Sequence, residues 1–129
     1  MKNKSKITFL ILFIMMMTKS LFAQTGSGPD AILGNFKSPD GDRTMEIYKD
    51  KEEYFGKLTS FSGTDGTLKI GTVLLKNFSY TKDKWEGKVF IPAKNTDFDA
   101  TLVLEDHNKL VIKVKAGMMS KSKTWSRVQ

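Results

Sequence analysis

An all-β fold, a small eight-stranded antiparallel up-and-down barrel, is what this sequence predicts. Three observations carry it. Beyond residue 30 the apolar residues recur with period two, the mark of strands with one buried and one wet face, and no segment shows a convincing amphipathic helix. Short polar breaks such as Asp40-Gly41 separate these stretches at spacings suited to hairpins. The chain closes on Trp125 and Val128, large apolar residues that a fraying tail does not hold but a last strand paired back onto the first does. A two-sheet sandwich is the other architecture the pattern permits.

The first stretch stands outside the fold. "MKNKSK" is basic, "ITFLILFIMMMT" is a short apolar run, and "KSLFA" ends on a small residue. That is the layout of a secretory signal peptide over residues 1–23, cut after Ala23 to expose Gln24. The run is too short for an ordinary membrane span, so the processed chain is not expected to span a membrane. Periplasmic or secreted localisation is the expectation. Four of the 21 basic residues (Lys2, Lys4, Lys6, Lys19) and none of the 14 acidic ones lie in this leader, so the rest carries 17 cations against 14 acids, a net charge of +3. The basicity of the whole chain belongs largely to export and is no argument for a nucleic-acid partner. There is no cysteine, hence no disulfide, no acylated anchor and no thiol nucleophile.

Residues 24–30, "QTGSGPD", read as a flexible lead-in, and 31–129 as one barrel domain, a length that buries enough surface for a core without staples. "GNFKS" at 34–38 is the first strand, with at most a short turn before it. "RTMEIYK" (43–49), "EYFGKLTS" (53–60) and "GTVLLKNFSY" (71–80) come next, with weaker alternation. In "KWEGKVFI" (84–91), Trp85, Gly87, Val89 and Ile91 oppose Lys84, Glu86, Lys88 and Phe90. In "DFDATLVLE" (97–105), Phe98, Ala100, Leu102 and Leu104 form the apolar face, and in "KLVIKVK" (109–115) Leu110, Ile112 and Val114 do. "SKTWSRV" (122–128) is the last strand. Asp65-Gly66, "TKDK" and "EDHNK" are turn chemistry, and Pro92 sits at a strand end where its missing N–H is tolerated.

In order and spacing these pieces resemble the bacterial domain of unknown function 2147 family, small exported proteins. The likeness rests on Gly34-Asn35-Phe36, the Asp40-Gly41 turn, "MEIY" at 45–48, "YFGKL" at 54–58, "WEGKVFIP" at 85–92, "FDATLVL" at 98–104 and the closing Trp125-Ser126-Arg127-Val128. Two departures stand out: Phe36 replaces the family's usual Trp, and the stretch between Leu58 and Gly71 is shorter, without an Asn-Pro loop. The family is in turn similar to lipocalin and calycin barrels, which carry Gly-x-Trp in the first strand and an Arg near the last that closes over it. The resemblance implies that Gly34, Phe36 and Arg127 take those places. It implies a fold and no established activity.

Candidate catalytic groups are sparse. The sole histidine, His107, lies in the polar turn "EDHNK" without a Gly-flanked serine elsewhere to act on. Asp97 and Asp99 share a strand face, the spacing of an acid pair, but an outward solvated row is the expectation. "PDGD" at 39–42 has the Asp-x-Asp start of a calcium loop and none of the rest, and no zinc spacing exists. No catalytic, cofactor or metal site is expected, and no enzyme.

What remains is the interior and the surface. Phe36, Trp85 and Trp125, with Met45, Ile47, Val89, Phe98, Leu102, Leu110 and Ile112, either fill the barrel or line a pocket for a small apolar or amphipathic ligand. For so short a chain, filled or nearly filled is the expectation, with Trp125 plugging one end. Arg127 is either a latch onto carbonyls around Ala31–Gly34, stacked on Trp125 or Phe36, or a cation in an open mouth holding a ligand's acidic head against Trp85 and Trp125. Lys69, Lys76, Lys82, Lys84, Lys88, Lys109, Lys113, Lys115, Lys121 and Lys123 are read as an outer, solubilising row that blunts strand edges, the alternative being a face that attracts an anionic lipid surface or polyanion. The functional readings are an exported non-enzymatic binder of a small apolar or amphipathic molecule, or a cell-envelope interaction module acting through its surface with a packed core.

Overall fold

The computed structural model describes residues 28–64, 66 and 68–128. The expected signal peptide, most of the lead-in and Asp65 of the Asp65-Gly66 turn lie outside the described residues. A 3₁₀ turn, Pro29–Ile32, precedes eight strands: β1 (Gly34–Lys37), β2 (Arg43–Asp50), β3 (Glu53–Phe61), β4 (Val73–Thr81), β5 (Lys84–Ile91), β6 (Thr96–Asp106), β7 (Lys109–Ala116) and β8 (Met119–Val128). Each pairs antiparallel with the next, and β8 returns to β1, closing the barrel. The sandwich alternative is thereby excluded. Pro29 and Asp30, which the sequence reading places in the lead-in, belong to the 3₁₀ turn that caps the barrel.

Alternation places the core. Met45 and Ile47 of β2, Leu102 of β6, Leu110 and Ile112 of β7 and Trp125 of β8 are buried while their strand neighbours are more exposed. Complete burial of one such aliphatic or aromatic side chain contributes about 1.5–3 kcal/mol. In β4 the period breaks. Leu75 and Phe78, three apart, both point inward, because the ladder to β5 shifts between Lys76 and Ser79, where Asn77 adopts φ 54. One extra residue in a strand restores the inward aim of the positions beyond it. Opposite that bulge Gly87 leaves the space Phe78 occupies: a Cβ there would lie 2.7 Å from the Phe78 ring.

The antiparallel order sorts the connections into two ends. At one, the base, lie the 3₁₀ turn, the β2–β3, β4–β5 and β6–β7 hairpins and the last residues of β8. At the other lie the β1–β2, β3–β4, β5–β6 and β7–β8 connections. The two-residue hairpins at Lys51-Glu52 and Lys82-Asp83 have positive φ at both central residues, the twist-matched geometry usually given to Asn-Gly, here without glycine.

Candidate functional site: an open mouth opposite a latched base

The base is sealed by side chains that bond backward onto the 3₁₀ turn. Ile32, the last residue of that turn, is fully buried. Trp85 Nε1 donates to the Pro29 carbonyl at 3.0 Å, and the Tyr54 hydroxyl donates to the Asp30 carboxylate. That hydroxyl, with Lys49 3.3 Å away, holds the Asp30 carboxyl below the ordinary aspartate range against the smaller opposing effect of burial. Burial, and then the Asp30 carboxylate, push the Tyr54 phenol up.

Arg127 completes the seal. Its guanidinium lies 4.6 Å over the Phe36 ring, the residue directly opposite it on β1. Nε donates to the His107 carbonyl, Nη1 to Leu33 and Nη2 to Ala31, each at 2.7 Å. The fork of the guanidinium suits three carbonyls at once. Partial burial lowers its pKa from the usual arginine value. His107 therefore contributes its backbone oxygen, and its ring is exposed.

The other end is open. A cavity of about 570 Å³ runs inward from it, within the range of ligand pockets. Its inner wall includes Met45, Leu75, Val89, Phe98, Ile112 and Trp125. The expectation of a filled interior therefore fails for this half. Phe36, Phe78, Leu102 and Leu110 pack the base half solidly, whereas at the mouth the inward positions of β8 are taken by Lys121 and Lys123, too long and too polar to fold into a dry core. Both lysines, read from the sequence as outer residues, share the strand face of Trp125, with Lys123 opposite Ile112 and Lys121 opposite Val114. Arg43 and Lys94 bring the cations among the lining residues to four, and these residues include no carboxylate.

The sequence-proposed set Phe36, Trp85, Trp125 and Arg127 is thus divided. Phe36, Trp85 and Arg127 belong to the base, and Trp125, 8% exposed, lines the cavity. A ligand head held by Arg127 with its tail along both tryptophans has no place in this geometry. Sequence reasoning misses the β8 lysines, Arg43 and Lys94 as site residues. The signal for the first two is present: positions 121, 123, 125 and 127 share one face of an extended strand.

The acids singled out in the sequence, Asp97, Asp99 and Asp42, are engaged by neighbouring cations and hydroxyls. Asp97 meets Lys76 Nζ at 3.3 Å and Asp99 bonds Lys88 Nζ, so the two acids face separate cations on the outer wall. Lys88, hydrogen-bonded first and then attracted by charge, holds the Asp99 carboxyl below its usual range. Asp42 of the "PDGD" turn takes the Ser38 hydroxyl and the Arg43 guanidinium. Among the described residues no group of three or more His, Cys, Asp or Glu side chains is placed to hold a metal, and no helix is long and apolar enough to cross a membrane.

A family model described as an uncharacterized protein conserved in bacteria (DUF2147) matches residues 34–127, a span that begins at Gly34 and ends at Arg127 of the seal. No curated protein matches the chain. Among solved structures it is similar to protein HP1028 from Helicobacter pylori, described as belonging to the lipocalin family. The TM-score is 0.60 at 15% identity, over 76% of this chain and 83% of that one. At that identity the likeness concerns the fold alone, a lipocalin-like barrel.

Proposed function

This chain belongs to the DUF2147 family, uncharacterized proteins conserved in bacteria, and on that premise we propose that it is an exported, non-enzymatic binding protein. It takes a small apolar or amphipathic molecule into the open end of its barrel. The observation that carries the reading is the asymmetry of the interior: a solid base, and above it a 570 Å³ cavity with apolar inner walls. The basic and apolar leader supports passage to the periplasm or beyond. Among the described residues the cavity lining contains cations but no acid, histidine or hydroxyl, which supports binding over catalysis.

Native mass spectrometry of protein recovered from its own cell envelope tests this directly. The expected result is a chain beginning at Gln24 with a small molecule retained. A chain that keeps Met1–Ala23 sinks the export part, and failure to take up any apolar probe sinks the binding part.

A second reading, a surface module of the envelope, is favoured by one observation. Met118 and Met119 at the β7–β8 turn and Ile70 in the β3–β4 connection are largely exposed at the mouth end, where a partner would cover them.

A further inference from the structure

We infer that the molecule taken up is a single-chain amphiphile with an anionic head, a carboxylate or a phosphate, bound tail inward with its head on Lys121, Lys123 and Lys94. This rests on the binding reading above and names its ligand class. The first observation is placement. Lysines at strand positions normally face water, yet Lys121 and Lys123 occupy the inward face of β8, opposite the apolar Val114 and Ile112. Both line the cavity and both are exposed, so their apolar stems can extend its wall while their ammonium groups stay in water.

The second observation is pairing. On the outer wall Lys57 meets Glu46, Lys76 meets Asp97, Lys84 meets Glu86 and Lys88 meets Asp99, while Lys109, Lys113 and Lys115 make no such pair among the described residues; what sets the mouth apart is that its lining offers cations and no carboxylate at all. Among the described residues Lys94, Lys121 and Lys123 meet none. Of the four lining cations only Arg43 has a carboxylate, that of Asp42 at 3.2 Å. Like charges gathered over an apolar floor repel one another, and a low-dielectric wall concentrates their field toward the opening. An anion at the rim relieves that repulsion, while an apolar tail covers Trp125 and Ile112 below. A cationic or neutral head gains nothing from these cations.

The test is a titration of the processed chain with four matched probes, each as monomer: dodecanoate, dodecyl phosphate, dodecan-1-ol and dodecyltrimethylammonium. Dodecanoate or dodecyl phosphate should bind at least tenfold more tightly than the alcohol, the better of the two identifying the head, and added salt should erode the difference. In Lys121→Glu/Lys123→Glu, and separately in Lys94→Glu on another element, that preference should fall, with the ammonium probe gaining in the double variant. Unchanged circular dichroism melts establish that each variant is folded. Equal binding of alcohol and anions, indifferent to these substitutions, overturns the head assignment and leaves the apolar cavity standing. Binding of no probe by wild-type protein overturns both.

Discussion

Gly34 and Arg127 share one small volume at the barrel seam. A Cβ on Gly34 would lie 2.7 Å from Arg127 Nη1, and the Gly34 backbone sits at φ 136, where side chains are strained. The first strand opens on the one residue that lets the last strand's guanidinium reach the carbonyls of Ala31 and Leu33. The pairing of a glycine at the start with an arginine at the end is thus a steric requirement.

Arg127→Ala should destabilise the protein by about 2–4 kcal/mol, since it removes charged hydrogen bonds and a stacked cation together. For a domain of this size each kcal/mol lowers Tm by about 4–8 °C. Arg127→Lys should recover little, having no fork. Gly34→Ala should cost less in an Arg127→Ala background than alone. Additive losses in that double-mutant cycle would show that the two residues act separately.

The two tryptophans should report differently on the cavity. A bound apolar molecule should shift the emission of Trp125, which lines it, and leave Trp85, tied to the Pro29 carbonyl at the base, unchanged. Trp125→Phe should abolish the signal and Trp85→Phe preserve it. Trp125→Ala should also cost about 3 kcal/mol of stability, the low end for a core tryptophan, because one side of its ring already borders open space.

Deleting Lys121–Gln129 should prevent folding. β8 is the common neighbour of β7 and β1, so its loss opens two ladders and removes Arg127. Calorimetry should show no cooperative transition. A truncated chain melting near the full-length midpoint would refute the dependence of the barrel on its last strand.

Stability should fall at acid pH through Asp30. The Tyr54 hydroxyl and Lys49 depress its pKa in the folded state, so its contribution is complete above the ordinary aspartate value of 3.8 and is lost as pH falls through the lower folded value. Urea midpoints measured down the acid limb should decline less steeply in Asp30→Asn. Identical slopes would remove Asp30 from the seal.

The strands and their closure are legible in the sequence because each buried face repeats every second residue and because Trp125 is too costly to leave on a loose end. The bulge at Asn77 is not, since an inserted residue leaves no compositional mark. The left-handed hairpins at Lys51-Glu52 and Lys82-Asp83 read only as polar turns, because they lack the glycine that usually announces them. The mouth escapes a sequence reading for a definite reason. Lysine is so regularly a solvent-facing residue that Lys121 and Lys123 are assigned to the outer wall, although their parity with Trp125 places them inside. The cavity has the same origin: where the inner face of the last strand changes from Trp125 to lysines, the side-chain filling stops.

Strand β8 ends beside the start of β1, with Val128 opposite Asn35 and Arg127 bonded to Ala31 and Leu33. Every strand therefore has its sequence neighbour as its spatial neighbour all the way round, and the ring has no intrinsic first member. A circular permutant that links residue 128 to residue 28 through a short glycine-rich joint, and is cut between Gly117 and Met118, should rebuild the same barrel. It would place both new ends at the rim of the cavity, where a tether or a dye could be attached without touching the base.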